Sequence, residues 1–127
     1  MKNNKTILII DDSTTNVILL DNLLSQKGYN ILSAPDVREA MVLLSKNNPD
    51  LIILDLLMPF VDGYEFLNII KGDEQLKSIP VLILSAVSDP EEILRAKSYG
   101  VVEYIKKPLQ IKQFSAFIDS FFSNYPD

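Results

Sequence analysis

Five short, mostly apolar runs alternate with longer amphipathic stretches along the whole chain. Branched apolar runs bounded by turn residues are typical of β-strands that are covered on both faces. The stretches between them carry helix signals, such as Asp89-Pro90-Glu91-Glu92, which offers an N-cap, a proline at the first helical position and acids in the first turn. This alternation predicts an α/β fold, with one parallel sheet and helices on both of its faces. The predicted strands are Thr6–Ile10, Tyr29–Ala34, Leu51–Leu54, Val81–Leu84 and Val101–Ile105.

The length of the chain and its even composition predict a single domain. A chain of 127 residues can bury an ordinary hydrophobic core, and 47% hydrophobic with 23% charged residues is the composition of a folded domain. No internal repeat, linker or low-complexity segment interrupts the pattern. We therefore expect one domain over residues 1–127, with a structured core of about residues 5–124 and no output domain.

Composition also excludes or disfavours several classes of function. The chain has no cysteine and no histidine, which excludes disulfides, thiolate or imidazole metal ligands, and a histidine that acts as a base or carries a phosphoryl group. A net charge of −5 argues against nucleic-acid binding, which needs clustered basic residues. Because the sequence shows neither a membrane-spanning apolar run nor a signal peptide, we expect a cytoplasmic protein with no membrane partner.

Polar residues follow four of the five predicted strands. Asp11 and Asp12 follow the first strand, Asp55 follows the third, Ser85 follows the fourth, and Lys107 closes the fifth. The carboxyl ends of parallel strands lie on one edge of a sheet, which is where open α/β sheets bind their ligands. If the strand order is 2-1-3-4-5, the first and third strands are neighbours. We therefore expect these five side chains to meet at one crevice.

The chemistry of this set of side chains points to phosphoryl transfer. Three carboxylates at one place repel one another unless a cation is bound, and oxygen ligands without histidine or cysteine favour Mg²⁺. A lysine and a hydroxyl beside such a metal suit the oxygens of a phosphoryl group. A carboxylate can itself attack phosphorus as a nucleophile. Each residue taken singly is also a common helix cap or turn former, but together they predict Mg²⁺-dependent phosphorylation of an aspartate.

At these positions the chain resembles the receiver domain of two-component response regulators. The resemblance covers essentially the whole chain, with the motifs in the family's order and spacing. It implies a flavodoxin-like (βα)5 three-layer sandwich with the strand order 2-1-3-4-5. The motifs are Asp11-Asp12, Asp55-x-x-Met58-Pro59-x-x-Asp62-Gly63, Ser85-Ala86 and Lys107-Pro108.

The resemblance implies a metal-binding and phosphoacceptor role for four positions. Asp55 looks like the phosphoacceptor. Asp12 and Asp55 look like direct Mg²⁺ ligands, together with the backbone carbonyl of Leu57. Asp11 looks like a ligand that binds the metal directly or through a water.

Three further positions look like the parts of the family's switch. Ser85 resembles the hydroxyl that moves to a phosphoryl oxygen, and Lys107 the cation that pairs first with Asp55 and then with the phosphate. The peptide bond between Lys107 and Pro108 is typically cis in such domains. Tyr104 looks like the aromatic residue that turns inward on activation.

The implied function is a phosphorylation-dependent signalling switch rather than an enzyme, since such a domain catalyses only its own Mg²⁺-dependent phosphorylation and dephosphorylation. The implied donor is a histidine kinase or a histidine phosphotransfer protein. We expect Ile18 and Leu19 to be exposed on the first helix, where a donor could dock.

The implied output surface is helix 4, strand 5 and helix 5, which would bind a downstream protein or a second copy. The last helix carries more phenylalanines than a single core-facing stripe needs, so we expect about two of them to point outward. They are Phe114, Phe117, Phe121 and Phe122.

Two positions depart from the better-known family pattern, and two other functions stay open. Leu57 and Val87 are apolar where polar side chains could orient an attacking water, so we predict slow self-dephosphorylation. A scaffold receiver that is never phosphorylated and a flavodoxin-like small-ligand binder share the fold. The small-ligand binder should carry a loop rich in glycine, serine and threonine after its first strand, where this chain carries Asp11-Asp12.

Overall fold

Strands and helices alternate throughout residues 5–56 and 63–124, which are the residues that this computed structural model describes. The observed strands agree with the predicted ones to within two residues at each end. In chain order the elements are β1 (Thr6–Ile10), α1 (Thr14–Gln26), β2 (Asn30–Ala34), α2 (Val37–Lys46), β3 (Leu51–Leu54), α3 (Gly63–Lys71), β4 (Val81–Ser85), α4 (Pro90–Lys97), β5 (Glu103–Lys106) and α5 (Ile111–Ser123).

The five strands form one parallel sheet in the order β2-β1-β3-β4-β5, which confirms the expected order. The register places Ile10, the last residue of β1, opposite both Ala34 and Leu54. Hydrogen bonds continue one residue further, from the Asp11 amide to the Ala34 carbonyl and from the Asp55 amide to the Ile10 carbonyl. Asp11 and Asp55 therefore leave the sheet side by side and at the same level.

Hydrophobic cores cover both faces of the sheet and make three layers. Along β1, Leu8 and Ile10 join a core that contains buried residues of α2, α3 and α4, whereas Ile7 and Ile9 join a core built with α1 and α5. This alternation follows from the two-residue period of a strand. Full burial of each such side chain contributes about 1.5–3 kcal/mol, so both helix layers hold the sheet in place.

Local signals in the sequence begin and end the helices where expected. The side chains of Ser13, Asp36 and Asp89 accept hydrogen bonds from backbone amides of the first turns of α1, α2 and α4. Such N-caps stabilise a helix by about 1 kcal/mol each. Gly28 and Gly100 follow α1 and α4 with φ angles of 97° and 78°, a left-handed conformation that favours glycine. In the described part of the chain, no helix combines the length and the apolar character that crossing a membrane requires.

The expectation that about two of the four α5 phenylalanines point outward is wrong. Phe114, Phe121 and Phe122 are buried, and Phe117 is partly buried. The wide apolar set is needed because α5 covers an end of the sheet as well as its face. Phe122 packs against the Tyr29 ring with centroids 5.0 Å apart, and Phe121 and Phe122 line a cleft at the amino ends of the strands.

Candidate functional site

Three carboxylates converge at the carboxyl edge of the sheet. Asp11 and Asp55 are only 4% and 7% exposed, whereas Asp12 is exposed. One oxygen from each carboxylate lies within 4.8 Å of the others. The parallel order of β1 and β3 brings Asp11 and Asp55 together, and Asp12 follows directly in the chain. The arrangement concentrates negative charge at the mouth of the site.

The Asp11 carboxylate is held in place by the start of α1. The Ser13 amide donates to Asp11 Oδ1 at 2.9 Å. The side-chain amide of Asn16 lies 3.5 Å from Asp11 Oδ2, a long contact from the first turn of the helix. Sequence reasoning did not identify Asn16. The available signal was its position five residues after Asp11, in the first turn of a helix that is separated from the strand by only three residues.

Lys107 brings a positive charge into the acidic cluster. Its Nζ lies 3.3 Å from Asp11 Oδ2 and 3.5 Å from Asp55 Oδ2. Its backbone amide donates to the Ser85 carbonyl, and its peptide bond to Pro108 is cis, as expected. One lysine offsets one of three negative charges. Two like charges 4 Å apart repel by about 4 kcal/mol at an effective dielectric constant of 20, so the cluster favours a further cation.

Ser85 lies fully buried at the end of β4, the strand next to β3. Its Oγ accepts a hydrogen bond from the Val87 amide at 3.2 Å. Val87 itself is half-buried in the loop that joins β4 to α4. The hydroxyl is therefore linked directly to the loop that leads into the expected output surface.

Tyr104 already lies in the inward position in this structure. Its side chain is buried, and its hydroxyl donates to the Val87 carbonyl at 2.8 Å. Burial raises the pKa of the Tyr104 hydroxyl, the neighbouring Ser85 hydroxyl lowers it, and the nearby Glu92 and Asp55 carboxylates raise it further. The phenol is thus a neutral donor that binds the same loop as Ser85. Its role as a switch stays a prediction.

Part of the predicted site falls outside the described residues. This applies to the backbone carbonyl of Leu57 and to Met58, Pro59 and Asp62 of the motif, which all lie in the segment 57–62. The structure does bring Asp11, Asp55 and Lys107 into contact distance, and it places Asp12 beside them. It also confirms that Ile18 and Leu19 are exposed on α1.

A small apolar cleft adjoins the acidic cluster. It has a volume of about 270 Å³ and lies between α1 and the segment that joins β5 to α5. Asn16 and Leu19 line one side, and Lys107, Pro108 and Leu109 line the other. The exposed patch on α1 is therefore continuous with the site.

Known proteins with similar sequences and structures were found for almost the whole chain. A family model described as the response regulator receiver domain matches residues 7–119. The chain is 34% identical, over 91% of its length, to the probable transcriptional regulator ycf27 of Galdieria sulphuraria, and it spans 44% of that protein. It is 32% identical, over 92% of its length, to the polar-differentiation response regulator DivK of Brucella ovis, and it spans 95% of that protein.

A solved structure with a similar fold is the signal receiver domain of a signal transduction histidine kinase from Syntrophus aciditrophicus. The two chains are 36% identical with a TM-score of 0.85, over 94% of this chain and 91% of the other. The residues matched by the family model include Asp11, Asp12, Asp55, Ser85 and Lys107. The chain spans less than half of the ycf27 protein and nearly all of DivK.

Proposed function

The chain belongs to the family of response regulator receiver domains, which act as phosphorylation-dependent switches in two-component signalling, and we propose that Asp55 accepts the phosphoryl group. The main support for this proposal is that Asp55 lies close to both negatively and positively charged groups. Its carboxylate belongs to the cluster of three acids, and it also lies 3.5 Å from Lys107 Nζ. Asp55 follows β3, the central strand of the sheet, with Asp11 after the strand on one side and Ser85 at the end of the strand on the other, which supports Asp55 as the nucleophile.

Receiver domains bind Mg²⁺ at a cluster of aspartates, and the donor set of this chain fits that ion. The cluster offers only hard carboxylate oxygens, which is the ligand type that Mg²⁺ prefers. We propose Asp12, Asp55 and the backbone carbonyl of Leu57 as direct ligands, and Asp11 as a direct or water-mediated one. A bound Mg²⁺ would supply the positive charge that phosphoryl oxygens need during transfer.

The proposed reaction takes a phosphoryl group from a phosphohistidine of another protein, because this chain has no histidine. An Asp55 oxygen attacks phosphorus, the phosphorus–nitrogen bond breaks, and its electron pair returns to the donor imidazole. The product is an acyl phosphate on Asp55. The Lys107 ammonium and the Ser85 hydroxyl would then bind phosphoryl oxygens, because both can donate hydrogen bonds and both belong to this edge of the sheet.

The proposed donor is a histidine kinase or a histidine phosphotransfer protein, the partner class with which receiver domains interact. Ile18 and Leu19 on α1 are its proposed docking surface, since both are exposed and Leu19 also lines the cleft beside Lys107. The proposed output is a change in the surface of α4, β5 and α5, recognised by a downstream protein or a second copy. We also propose that the chain forms a single domain and that it is cytoplasmic. The only reactions that it catalyses in this proposal are its own phosphorylation and dephosphorylation.

The proposal is tested by intact mass after incubation with a small acyl phosphate, with and without Mg²⁺. We expect the wild-type chain to gain one phosphoryl group only when Mg²⁺ is present, and Asp55→Asn to gain none. Asp36→Asn is a matched control, because Asp36 lies after β2 and asparagine caps a helix as well as aspartate does. Labelling of Asp55→Asn, or of the wild type without Mg²⁺, would contradict the proposal.

A further inference from the structure

Tyr64, the second residue of α3, makes three contacts with α4 and its end. Its hydroxyl lies 3.1 Å from Glu92 Oε2 and 3.2 Å from the Glu92 carbonyl. The Arg95 guanidinium lies over the Tyr64 ring, 3.7 Å from its centroid, and the Tyr99 ring packs beside it with a centroid distance of 5.6 Å. A cation over the face of an aromatic ring is attracted to the ring's negative face, so the contact is attractive as well as close.

Among the residues that the structure describes, α4 has only a small buried face, so these contacts are important for its position. Ala96 is the only buried residue of α4, Ile93 is partly buried, and Leu94 is 69% exposed. By contrast, α5 buries four large apolar residues. Hydrophobic stabilisation grows with the apolar area removed from water, so α4 is the weakly packed helix of the two. A polar contact at its first turn therefore has a large share in fixing its place.

Tyr64 is also connected to the proposed phosphoacceptor. Gly63 packs so closely on Leu56 that a Cβ atom at position 63 would lie 2.8 Å from Leu56 Cα. The Gly63 amide also approaches the Leu56 carbonyl. Because Leu56 directly follows Asp55, the start of α3 rests on the residue next to the acceptor. Backbone contact between Leu56 and Gly63 therefore links Asp55 to Tyr64.

The first turn of α4 and the loop before it lie between two tyrosines. Tyr104 binds the Val87 carbonyl from the β5 side, and Tyr64 binds Glu92 from the α3 side. The Glu92 carboxylate is close enough to both phenols to raise the pKa of each. Burial, a hydrogen bond to Glu92 and its charge raise the pKa of Tyr64 to about 12, and the same carboxylate contributes to the raised pKa of Tyr104.

We propose that Tyr64 is a positioning residue of the switch. By binding Glu92 it holds the first turn of α4 where the Val87 carbonyl can accept the hydrogen bond of Tyr104. The role rests on the proposed function, because it concerns how a phosphoryl group at Asp55 stabilises the inward position of Tyr104. It gives Asp55 a connection to α4 through α3, separate from the connection through Ser85.

The test measures beryllofluoride binding, which mimics a phosphoryl group on the acceptor aspartate, in Tyr64→Phe at saturating Mg²⁺. Phenylalanine keeps the ring under Arg95 and removes only the hydroxyl. A hydrogen bond to a charged group is stronger than one between neutral groups, and its loss should lower the population of the binding-competent state by about tenfold. We expect the apparent dissociation constant, followed by fluorine NMR of the bound beryllofluoride, to rise by about tenfold.

Tyr29→Phe is the matched control. Tyr29 is equally buried, its hydroxyl lies 3.1 Å from a carboxylate oxygen of Asp119, and its pKa is likewise raised to about 12. It lies just before β2, at the opposite edge of the sheet from Asp55. We expect beryllofluoride to bind Tyr29→Phe as it binds the wild type, although both variants lose the same kind of hydrogen bond.

A second variant separates positioning from a general loss of stability. If Tyr64 acts by placing the acceptor of the Tyr104 hydrogen bond, Tyr64→Phe has no further effect in a Tyr104→Phe background. Wild-type affinity in Tyr64→Phe, an equal loss in Tyr29→Phe, or additive effects with Tyr104→Phe would each overturn the proposal. Amide exchange over α4 without ligand should also be faster in Tyr64→Phe, and unchanged exchange would refute the anchoring role itself. A wild-type chain that fails to bind beryllofluoride would instead refute the proposed function.

Discussion

Replacement of Asp12 by asparagine tests whether the acidic cluster is built for a cation. One oxygen of Asp12 lies within 4.8 Å of an oxygen of each other carboxylate. At that distance a pair of unit charges repels by about 3.5 kcal/mol at an effective dielectric constant of 20 and by about 0.9 kcal/mol in bulk water. Because Asp12 is exposed, the lower figure applies to each of its two pairs, and the positive charge of Lys107, which lies 3.3 Å from Asp11 Oδ2, offsets part of the total. We therefore expect Asp12→Asn to raise the free energy of unfolding by about 1 kcal/mol without Mg²⁺.

Addition of Mg²⁺ should make the wild type more stable to unfolding than Asp12→Asn, the reverse of the order expected without Mg²⁺. A ligand that binds only the folded state at a hundred times its dissociation constant stabilises by about 2.7 kcal/mol. The wild type should gain this amount, and Asp12→Asn should gain much less because a proposed direct ligand has lost its charge. Urea denaturation with Mg²⁺ and with a chelator measures both effects, and Asp36→Asn serves as the control. A variant that is less stable than the wild type without Mg²⁺, or that gains as much from Mg²⁺, would refute this reasoning.

Three other predictions concern packing, pH and dephosphorylation. Gly63→Ala should destabilise by about 1–3 kcal/mol in urea denaturation, because its Cβ would press on the Leu56 backbone, and Gly63→Asn should be worse still. At Gly100, where only the positive φ is restrictive, asparagine should instead be tolerated better than alanine. The pKa of Tyr29 is raised from 10.0 to about 12, so stability should fall as pH rises from 10 to 12, and Tyr29→Phe should reduce that fall. Finally, loss of phosphoryl mass should be slow in the wild type and several-fold faster in Val87→Gln, whose amide can orient a water; equal rates would contradict this.

The convergence of the site was predictable because it follows from topology. Once apolar runs and helix signals establish a parallel sheet, residues that end adjacent strands must lie at one edge. The pairing of Ile10 with Leu54 then brings Asp11 and Asp55 to the same level. Helical periodicity separately predicted the exposure of Ile18, because this residue falls off the apolar stripe of α1.

Contacts between distant helices were not predictable from residue patterns. Tyr64 and Glu92 lie 28 residues apart, and only the packing of α3 against α4 brings the phenol to the carboxylate. The α5 phenylalanines were misjudged for a similar reason. Helical period indicates one buried stripe, whereas Phe122 is buried by Tyr29 at the end of the sheet, which a periodicity argument does not include.

The size of the conformational change that a phosphoryl group must drive explains why several residues have to act together. Moving a two-state protein from 1% to 99% in one state takes about 5.5 kcal/mol of differential stabilisation. One hydrogen bond to a charged group supplies only about 1.5–3 kcal/mol, so the proposed roles of Lys107, Ser85 and the metal have to be joint ones. In this structure Tyr104 is already buried against Val87. If Tyr104 is the switch, as proposed, part of the change is preformed, and a Tyr64 that holds α4 in this arrangement reduces the free energy that the phosphoryl group has to supply.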